Sequence, residues 1–258
     1  MKTTKIKLLK NDEDEKICIY IDKVISNNKT PVVILLHGFA SRGRNRTNLP
    51  IVEKLNEEGI STICVDLSGH GESEGNISET SVIKAQKEIE LVFNWTLNQK
   101  WVDINKISIL GNSFSGNALI LFASKNNKIK SIVLKSPVTD YYAVRLNQLG
   151  KEKMEEWQKN GKIKINDKVI SNYSFIKDLN GIDTYKEISK IACPVYVVQG
   201  DEDEVIPISH TKRLQEALNQ NKDQIIIIKG ADHGYSNSNH FDKMIEEIVR
   251  FIEKDLKN

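Results

Sequence analysis

Ser113 lies where an apolar run meets a helix-like one. Ile107-Ser108-Ile109-Leu110 leads into Gly111-Asn112-Ser113-Phe114-Ser115-Gly116, and then into Asn117-Ala118-Leu119-Ile120-Leu121-Phe122-Ala123. A serine on a tight strand-to-helix turn, flanked by small residues, is the nucleophile-elbow pattern, which holds a hydroxyl clear of the backbone. That hydroxyl is a weak nucleophile until a neighbouring base takes its proton. The chain has five histidines, at 37, 70, 210, 233 and 240. His37 follows the apolar run 32–36, His70 sits in a Gly69-His70-Gly71 turn, and His210 and His240 lie near helix starts. His233, in Gly230-Ala231-Asp232-His233-Gly234, is alone in being late in the chain and just beyond a strand, where ligands meet open α/β sheets. An acid that orients such a histidine is expected nearby. Gly200-Asp201-Glu202-Asp203-Glu204 follows the apolar run 195–199 and offers four carboxylates. Spacing does not choose among them.

The elements that must position these groups read as an α/β chain. Residues 5–10 and 17–21 alternate apolar and polar side chains around the acidic turn 11–15, as an antiparallel hairpin does. Short apolar runs at 32–36, 61–66, 107–110, 131–135, 195–199 and 224–228 suit parallel strands covered on both faces. Between them lie helix-like segments. Val82, Ala85, Ile89, Val92 and Trp95 mark one helix face, and Phe241, Met244, Ile245, Ile248 and Ile252 another. The expected fold is a mostly parallel sheet of about eight strands with an antiparallel N-terminal hairpin and helices on both faces.

One stretch, 137–192, has no buried-strand signal. Leu146, Leu149, Met154 and Trp157 suggest a helix of mixed polarity. Residues 162–169 read as a small hairpin turning at Asn166-Asp167. Ser171 is the expected cap of a short helix ending at Asn180-Gly181. An insertion with its own structure, between two sheet strands, reads as a cap over a site within a single domain of residues 1–258.

Bulk properties narrow the function class. Lys+Arg is 37 and Asp+Glu 35, a net charge of +2 that gives no reason to expect nucleic acid or an anionic membrane as partner. Cys18, Cys64 and Cys193 are odd in number and far apart, against a disulfide framework or a zinc site. No stretch approaches the ~18 apolar residues of a membrane span, and no signal core follows the N-terminus, so a cytoplasmic location is expected. The glycines at 69, 71 and 75 lack dinucleotide-loop spacing, and no cofactor or metal is expected.

His37-Gly38-Phe39, Gly69-His70-Gly71-Glu72-Ser73, the Ser113 elbow, Gly200-Asp201-Glu202-Asp203 and Gly230-Ala231-Asp232-His233 stand in this order, each at an expected strand end. Together they resemble the α/β-hydrolase superfamily over nearly the whole chain, and within it small bacterial carboxylesterases of the cinnamoyl and feruloyl esterase kind. The chain is also similar to serine aminopeptidase-like and monoacylglycerol lipase-like hydrolases. The resemblance implies Ser113 as nucleophile, His233 as base and Asp203 as acid, with the backbone N–H groups of Phe39 and Phe114 as oxyanion donors. It departs at Ser115, where the elbow pattern has its second glycine, with Gly116 following.

The implied reaction is hydrolysis of small-molecule carboxylic esters with small, medium or aromatic acyl groups, through an acyl-enzyme. A thioesterase or an aminopeptidase would use the same triad. For the aminopeptidase, Glu152, Glu155 and Glu156 are candidates to hold a substrate ammonium. A non-catalytic binding protein is the alternative of another class. Three of the six arginines, Arg42, Arg44 and Arg46, follow the expected oxyanion loop. They read either as a fork for a substrate carboxylate or phosphate, or as a solvated loop. Arg42 and Arg44 are carried as candidate substrate contacts, with Met154 and Trp157 as candidate pocket lining. Tyr141, Tyr142, Tyr173 and Tyr185 are further candidates. Oligomeric state is not legible in the sequence.

Overall fold

Alternation along the strands decides how the sheet is covered. In the computed structural model, which describes residues 2–166, 169–218 and 224–257, β3 (Thr30–Leu35) sends Val32 and Ile34 to one face and Val33 and Leu35 to the other. β5 (Val102–Asn112), β6 (Ser131–Lys135) and β9 (Val195–Gly200) divide in the same way: Ile109, Leu134 and Val197 share the first core, and Leu110, Val133 and Val198 the second. Strands apolar on both faces need helices on both. α1 (Asn48–Glu57) and α8 (Ser238–Lys257) close one face with Ile51, Leu55, Met244, Ile248 and Ile252. α2 (Val82–Leu97) and α3 (Phe114–Ala123) close the other with Ile89, Phe93, Leu119 and Phe122.

The eight-stranded sheet runs β1-β2-β4-β3-β5-β6-β9-β10. β1 (Lys2–Lys10) and β2 (Lys16–Val24) form the antiparallel hairpin, and β2 meets β4 (Ser61–Val65) antiparallel. The remaining pairs, out to β10 (Gln224–Ile228), are parallel. The chain leaves β3 on one side for β4 and returns on the other side for β5. Strand order therefore reverses at β3, and loops diverging there leave a crevice beyond the carboxyl ends of β3 and β5. His37-Gly38-Phe39 and Ser113 occupy those two ends.

Between β6 and β9 the chain builds α4 (Tyr141–Asn160), the hairpin β7 (Lys162–Asn166) and β8 (Val169–Asn172), α5 (Ser174–Lys177) and α6 (Thr184–Ile188). Asp140 caps α4 by accepting from the Ala143 amide at 2.9 Å. α4 breaks at Gly150 (φ 77°, ψ 165°), a conformation that only glycine adopts readily. The expected hairpin turn at Asp167 lies outside the described residues. Ser171 is not a helix cap: it is buried in β8, where its carbonyl accepts from Trp157 Nε1 at 2.9 Å, and α5 starts two residues later than that cap would place it. Among the described residues, no helix is long and apolar enough to cross a membrane.

Candidate active site

β5 ends by turning Ser113 into a backbone conformation with φ 49° and ψ −105°, and α3 starts at the next residue. L residues avoid that region, at a cost of order 1–3 kcal/mol, so the surrounding structure must hold it. The Ser113 amide donates to Lys135 O at 2.9 Å, and the Ser113 carbonyl accepts from Gly116 and Val138 at 3.1 and 3.2 Å. Ser115 adds a clasp: its Oγ accepts from the Asn112 amide at 2.9 Å and donates to Asn112 O at 3.1 Å. The close approach lies one position later. A Cβ on Gly116 would stand 2.9 Å from Pro137 Cβ, and a Cβ on Gly111 2.9 Å from Gly116 Cα. The departure at 115 thus leaves a glycine where the helix passes the strand and the 137 loop.

The two early histidines build the neighbouring loop. His37 Nε2 accepts from the Leu67 amide at 3.0 Å, so its proton is on Nδ1, which donates to Gly38 O at 2.7 Å. His70 Nε2 accepts from the Ala40 amide at 3.1 Å, and its Nδ1–H donates to Ser68 O at 2.9 Å. Both rings are committed as neutral tautomers. Burial, reinforced by the neighbouring His70, takes the His37 imidazolium down to about 4, and burial also lowers that of His70. The imidazoles fix residues 37–40, including the left-handed Ala40 (φ 55°), beside the elbow. A methyl on Gly38 would lie 3.6 Å from Ser113 Cβ. His70 spends its ring on Ala40, and no acceptor faces the Phe39 amide among the described residues. The Phe114 amide is the first of α3, one of the four that a helix leaves unpaired.

Of the four carboxylates after β9, Asp203 is the one that reaches the imidazole. His233 Nδ1 donates to Asp203 Oδ2 at 2.8 Å, which leaves Nε2 without a proton. Gln199 Nε2 donates to the same oxygen at 2.6 Å, while Oδ1 accepts from the Val205 and Ile206 amides at 3.0 and 2.7 Å. Burial raises the carboxyl's affinity for a proton, but the hydrogen bonds from His233, Ile206 and Gln199 prevail and hold it below its ordinary value. Its neighbours do other work. Asp201 accepts from the Gly230 amide at 2.6 Å, and Glu204 from the His233 amide at 3.3 Å. Gly200 is demanded by space, since a Cβ there would collide with Ala231 O in the loop that carries His233.

Lys135, at the end of β6, ties the two halves of the site together. Its carbonyl holds the Ser113 amide, and its Nζ donates to His233 O at 2.6 Å while lying 4.7 Å from the centre of the Tyr235 ring. The side chain is buried. Desolvation pulls its ammonium from 10.5 down to about 8, against the attraction of Asp203, Asp232 and Glu204. Sequence reading passed over Lys135 and Gln199. The signal was present, since both are polar residues closing apolar strands.

A family model, the prolyl oligopeptidase family of peptidases S9, matches residues 55–258. The chain belongs to that family. It is a hydrolase of the α/β-hydrolase superfamily. The match starts inside α1, so the Phe39 loop lies ahead of it. Among relatives of this family member, the mitochondrial palmitoyl-protein thioesterase ABHD10 of Rattus norvegicus is 25% identical over 235 residues, 88% of this chain and 76% of that protein. An uncharacterized 31.7 kDa Escherichia coli protein from the traX-finO intergenic region is 27% identical over 228 residues, 74% of this chain and 79% of its own length. The structure of Est1E from Butyrivibrio proteoclasticus with ferulic acid bound superposes with a TM-score of 0.86 at 23% identity, covering 98% of this chain and all of that one. At that identity the likeness is one of fold.

The remaining expected contacts of this prolyl oligopeptidase family member are placed differently from one another. Arg44 is paired with Asp22 and lies over the Tyr20 ring, so its guanidinium is already engaged. Arg42 is exposed on the same loop. Trp157 is fully enclosed and Met154 nearly so, both within the first core. Glu152, Glu155 and Glu156 are exposed on α4, on turns where Met154 and Trp157 point inward. Phe39, Phe114, Tyr141 and Phe175 form a continuous aromatic wall, with ring centres 4.8–6.2 Å apart along its contacts. Beside it is a cleft of about 340 Å³ lined by Asn117, Thr139, Tyr141, Ile176, Tyr185 and Arg213. Thr139 Oγ1 meets Tyr185 Oη at 2.8 Å there, and Asn117 follows Ser113 by one helical turn.

Proposed function

We propose that the protein hydrolyses carboxylic esters through an acyl-enzyme on Ser113. The observation that carries this reading is the Asp203–His233 contact, which leaves His233 Nε2 as an acceptor. Ser113 Oγ attacks the ester carbon as its proton passes to that nitrogen. The carbonyl oxygen becomes an oxyanion held by the Phe39 and Phe114 amides, donors that typically supply about 3 kcal/mol each. On collapse, the C–O bond to the alcohol breaks and His233 returns the proton to the departing oxygen. Water, deprotonated by the same imidazole, then releases the acid and restores Ser113. Residues 137–192 act as a cap that holds the acyl group against the aromatic wall, whose rings suit a short or aromatic acyl chain. A thioester in place of the ester is the second reading, favoured by the identity with the palmitoyl-protein thioesterase.

The test is a fluorophosphonate label with a panel of p-nitrophenyl esters, acyl-thioesters and aminoacyl anilides. We expect labelling and fastest turnover among the first two groups. A folded wild type that takes no label, or one that cleaves anilides and neglects esters, would reject the proposal.

Lys135→Met separates the base's anchorage from its chemistry. Releasing the His233 carbonyl lets the imidazole drift, and a displacement of about 1 Å commonly costs about 10²-fold in kcat. The stability arm has a definite sign. The lysine's folded value, about 8, lies below its ordinary 10.5, so between these pH values the unfolded chain binds more protons. Wild type therefore gains stability relative to Lys135→Met as pH rises through that window, and loses the gain below it. Tm differences at pH 7 and pH 10 measure this.

A further inference from the structure

Of the six arginines, all within the described residues, only Arg145 is buried, at 8% exposure. Arg44 pairs with Asp22 and Arg250 with Glu247; Arg46 lies over Phe241, Arg213 over Tyr185, and Arg42 is exposed. Arg145 has no carboxylate among the described residues. Its Nη1 donates to the neutral Gln148 Oε1 at 2.8 Å, and its Nε finds no acceptor. Tyr141, itself neutral in this setting, is the one titratable side chain whose field reaches it. Burial alone lowers the guanidinium's hold on its proton.

A buried cation without a counter-charge is costly, and breaking up such pairs is among the more damaging changes a fold can suffer. The guanidinium stands 5.6 Å from the ring centres of both Phe39 and Phe175. Cation–π contact offsets part of the desolvation but supplies no acceptor for the Nε–H. Arg145 thus abuts Phe39, one of the two residues whose amides face the reacting carbonyl in the proposed mechanism, and the Phe39 ring in turn meets the Phe114 ring at 6.0 Å. A charged, fork-shaped donor set held beside a reaction centre and short of one negative charge matches a planar carboxylate.

We propose that Arg145 binds a carboxylate carried by the substrate, making this an esterase for anionic esters; the inference rests on the acyl-enzyme reading above. The carboxylate belongs to the acyl or the alcohol portion, and the assay separates the two. Three substrates are compared: p-nitrophenyl butyrate, p-nitrophenyl hemiglutarate and 4-carboxyphenyl butyrate. Anionic-to-neutral ratios of kcat/KM are then compared between wild type and variants, so that leaving-group differences cancel. Arg145→Met lowers one anionic ratio by about tenfold or more, the effect of losing a charge-assisted hydrogen bond. Arg145→Lys, which keeps the charge without the fork, restores part of it. The side whose ratio falls is the side that carries the carboxylate.

Equal loss on all three esters in Arg145→Met overturns the proposal and makes Arg145 a packing residue. A second measurement needs no turnover. Glutarate or 4-hydroxybenzoate raises the Tm of wild type but not of Arg145→Met; equal shifts, or none with either acid, also overturn it. Were wild type to hydrolyse no ester and take no fluorophosphonate, the catalytic reading alone would fall, and the Tm comparison would still decide for or against the carboxylate site.

Discussion

Ser113→Ala is expected to remove ester turnover while leaving the fold and substrate affinity in place. In serine hydrolases with an intact oxyanion site, loss of the nucleophile lowers kcat by about 10⁴–10⁶-fold, the remainder coming from the donors and from binding. Here the proposed donors sit on the Phe39 loop and the α3 N-terminus, neither of which depends on the Ser113 hydroxyl: the loop is held by His37 and His70, and the turn by main-chain bonds to Lys135, Gly116 and Val138. Steady-state kinetics on p-nitrophenyl butyrate with circular dichroism on the same preparation checks both halves. A variant within about tenfold of wild type would remove Ser113 from the reaction, since the loss of a nucleophile is read in kcat and is far larger than that.

A companion substitution tests why the residue is strained. At φ 49° and ψ −105°, alanine carries the same Cβ penalty as serine, whereas glycine does not. Ser113→Gly is therefore expected to be more stable than Ser113→Ala by about 1–2 kcal/mol, the reverse of the usual ranking of these residues near a helix. Both are inactive. Stability surrendered at one turn and recovered only when the side chain is given up entirely is the signature of a position shaped for chemistry rather than for folding.

How much of this was legible in the chain follows from the range of each signal. All eight sheet strands register locally, the antiparallel β1 and β2 by alternation and the later ones as short apolar runs, because neither pattern needs a partner to announce itself. β6 and β10 even share their bounds with the runs 131–135 and 224–228. The elbow is legible for the same reason: it is a contiguous strand, turn and helix. The 137–192 segment is less so. Ser171 has a capping residue's type, yet its place in β8 is set by Trp157, fourteen positions earlier. Arg44 and Arg145 make the contrast sharper. Sequence proximity to the Phe39 loop favours Arg44, but its partner is Asp22 on a strand laid down 22 residues before it. Arg145 lies over a hundred residues from Phe39 and meets it only because the insertion folds back over the sheet. Charge pairing across such distances leaves no trace in composition or spacing. An unpaired charge becomes visible only when every neighbour is placed.

Asp203→Asn is expected to cost about 10⁴-fold in kcat with KM changed only a few-fold, and the reason is a proton's position rather than a lost charge alone. In wild type, Asp203 Oδ1 takes two amides, from Val205 and Ile206, and Oδ2 takes His233 Nδ1 and Gln199 Nε2. Every lone pair it offers faces a donor. An asparagine can satisfy the two amides with its single oxygen, which turns its NH₂ toward the imidazole and Gln199. The imidazole then accepts at Nδ1 and carries its hydrogen on Nε2, the nitrogen that takes the Ser113 proton in the proposed mechanism. The pH dependence of stability distinguishes this from simple damage. The folded carboxyl lies below its ordinary 3.8, so its stabilising share is complete above that value and fades as pH falls through the folded one. The Tm gap between wild type and Asp203→Asn should thus be full at pH 6 and narrow below pH 3.8, while the rate loss persists at neutral pH where both proteins are folded. A Tm gap indifferent to acid would mean that the fold does not hold the Asp203 carboxyl below its ordinary value; a variant retaining a tenth or more of wild-type kcat would mean that His233 keeps its working tautomer without Asp203, and the acid would have to be sought elsewhere, first at Glu204, whose carboxylate already accepts from the His233 amide at 3.3 Å.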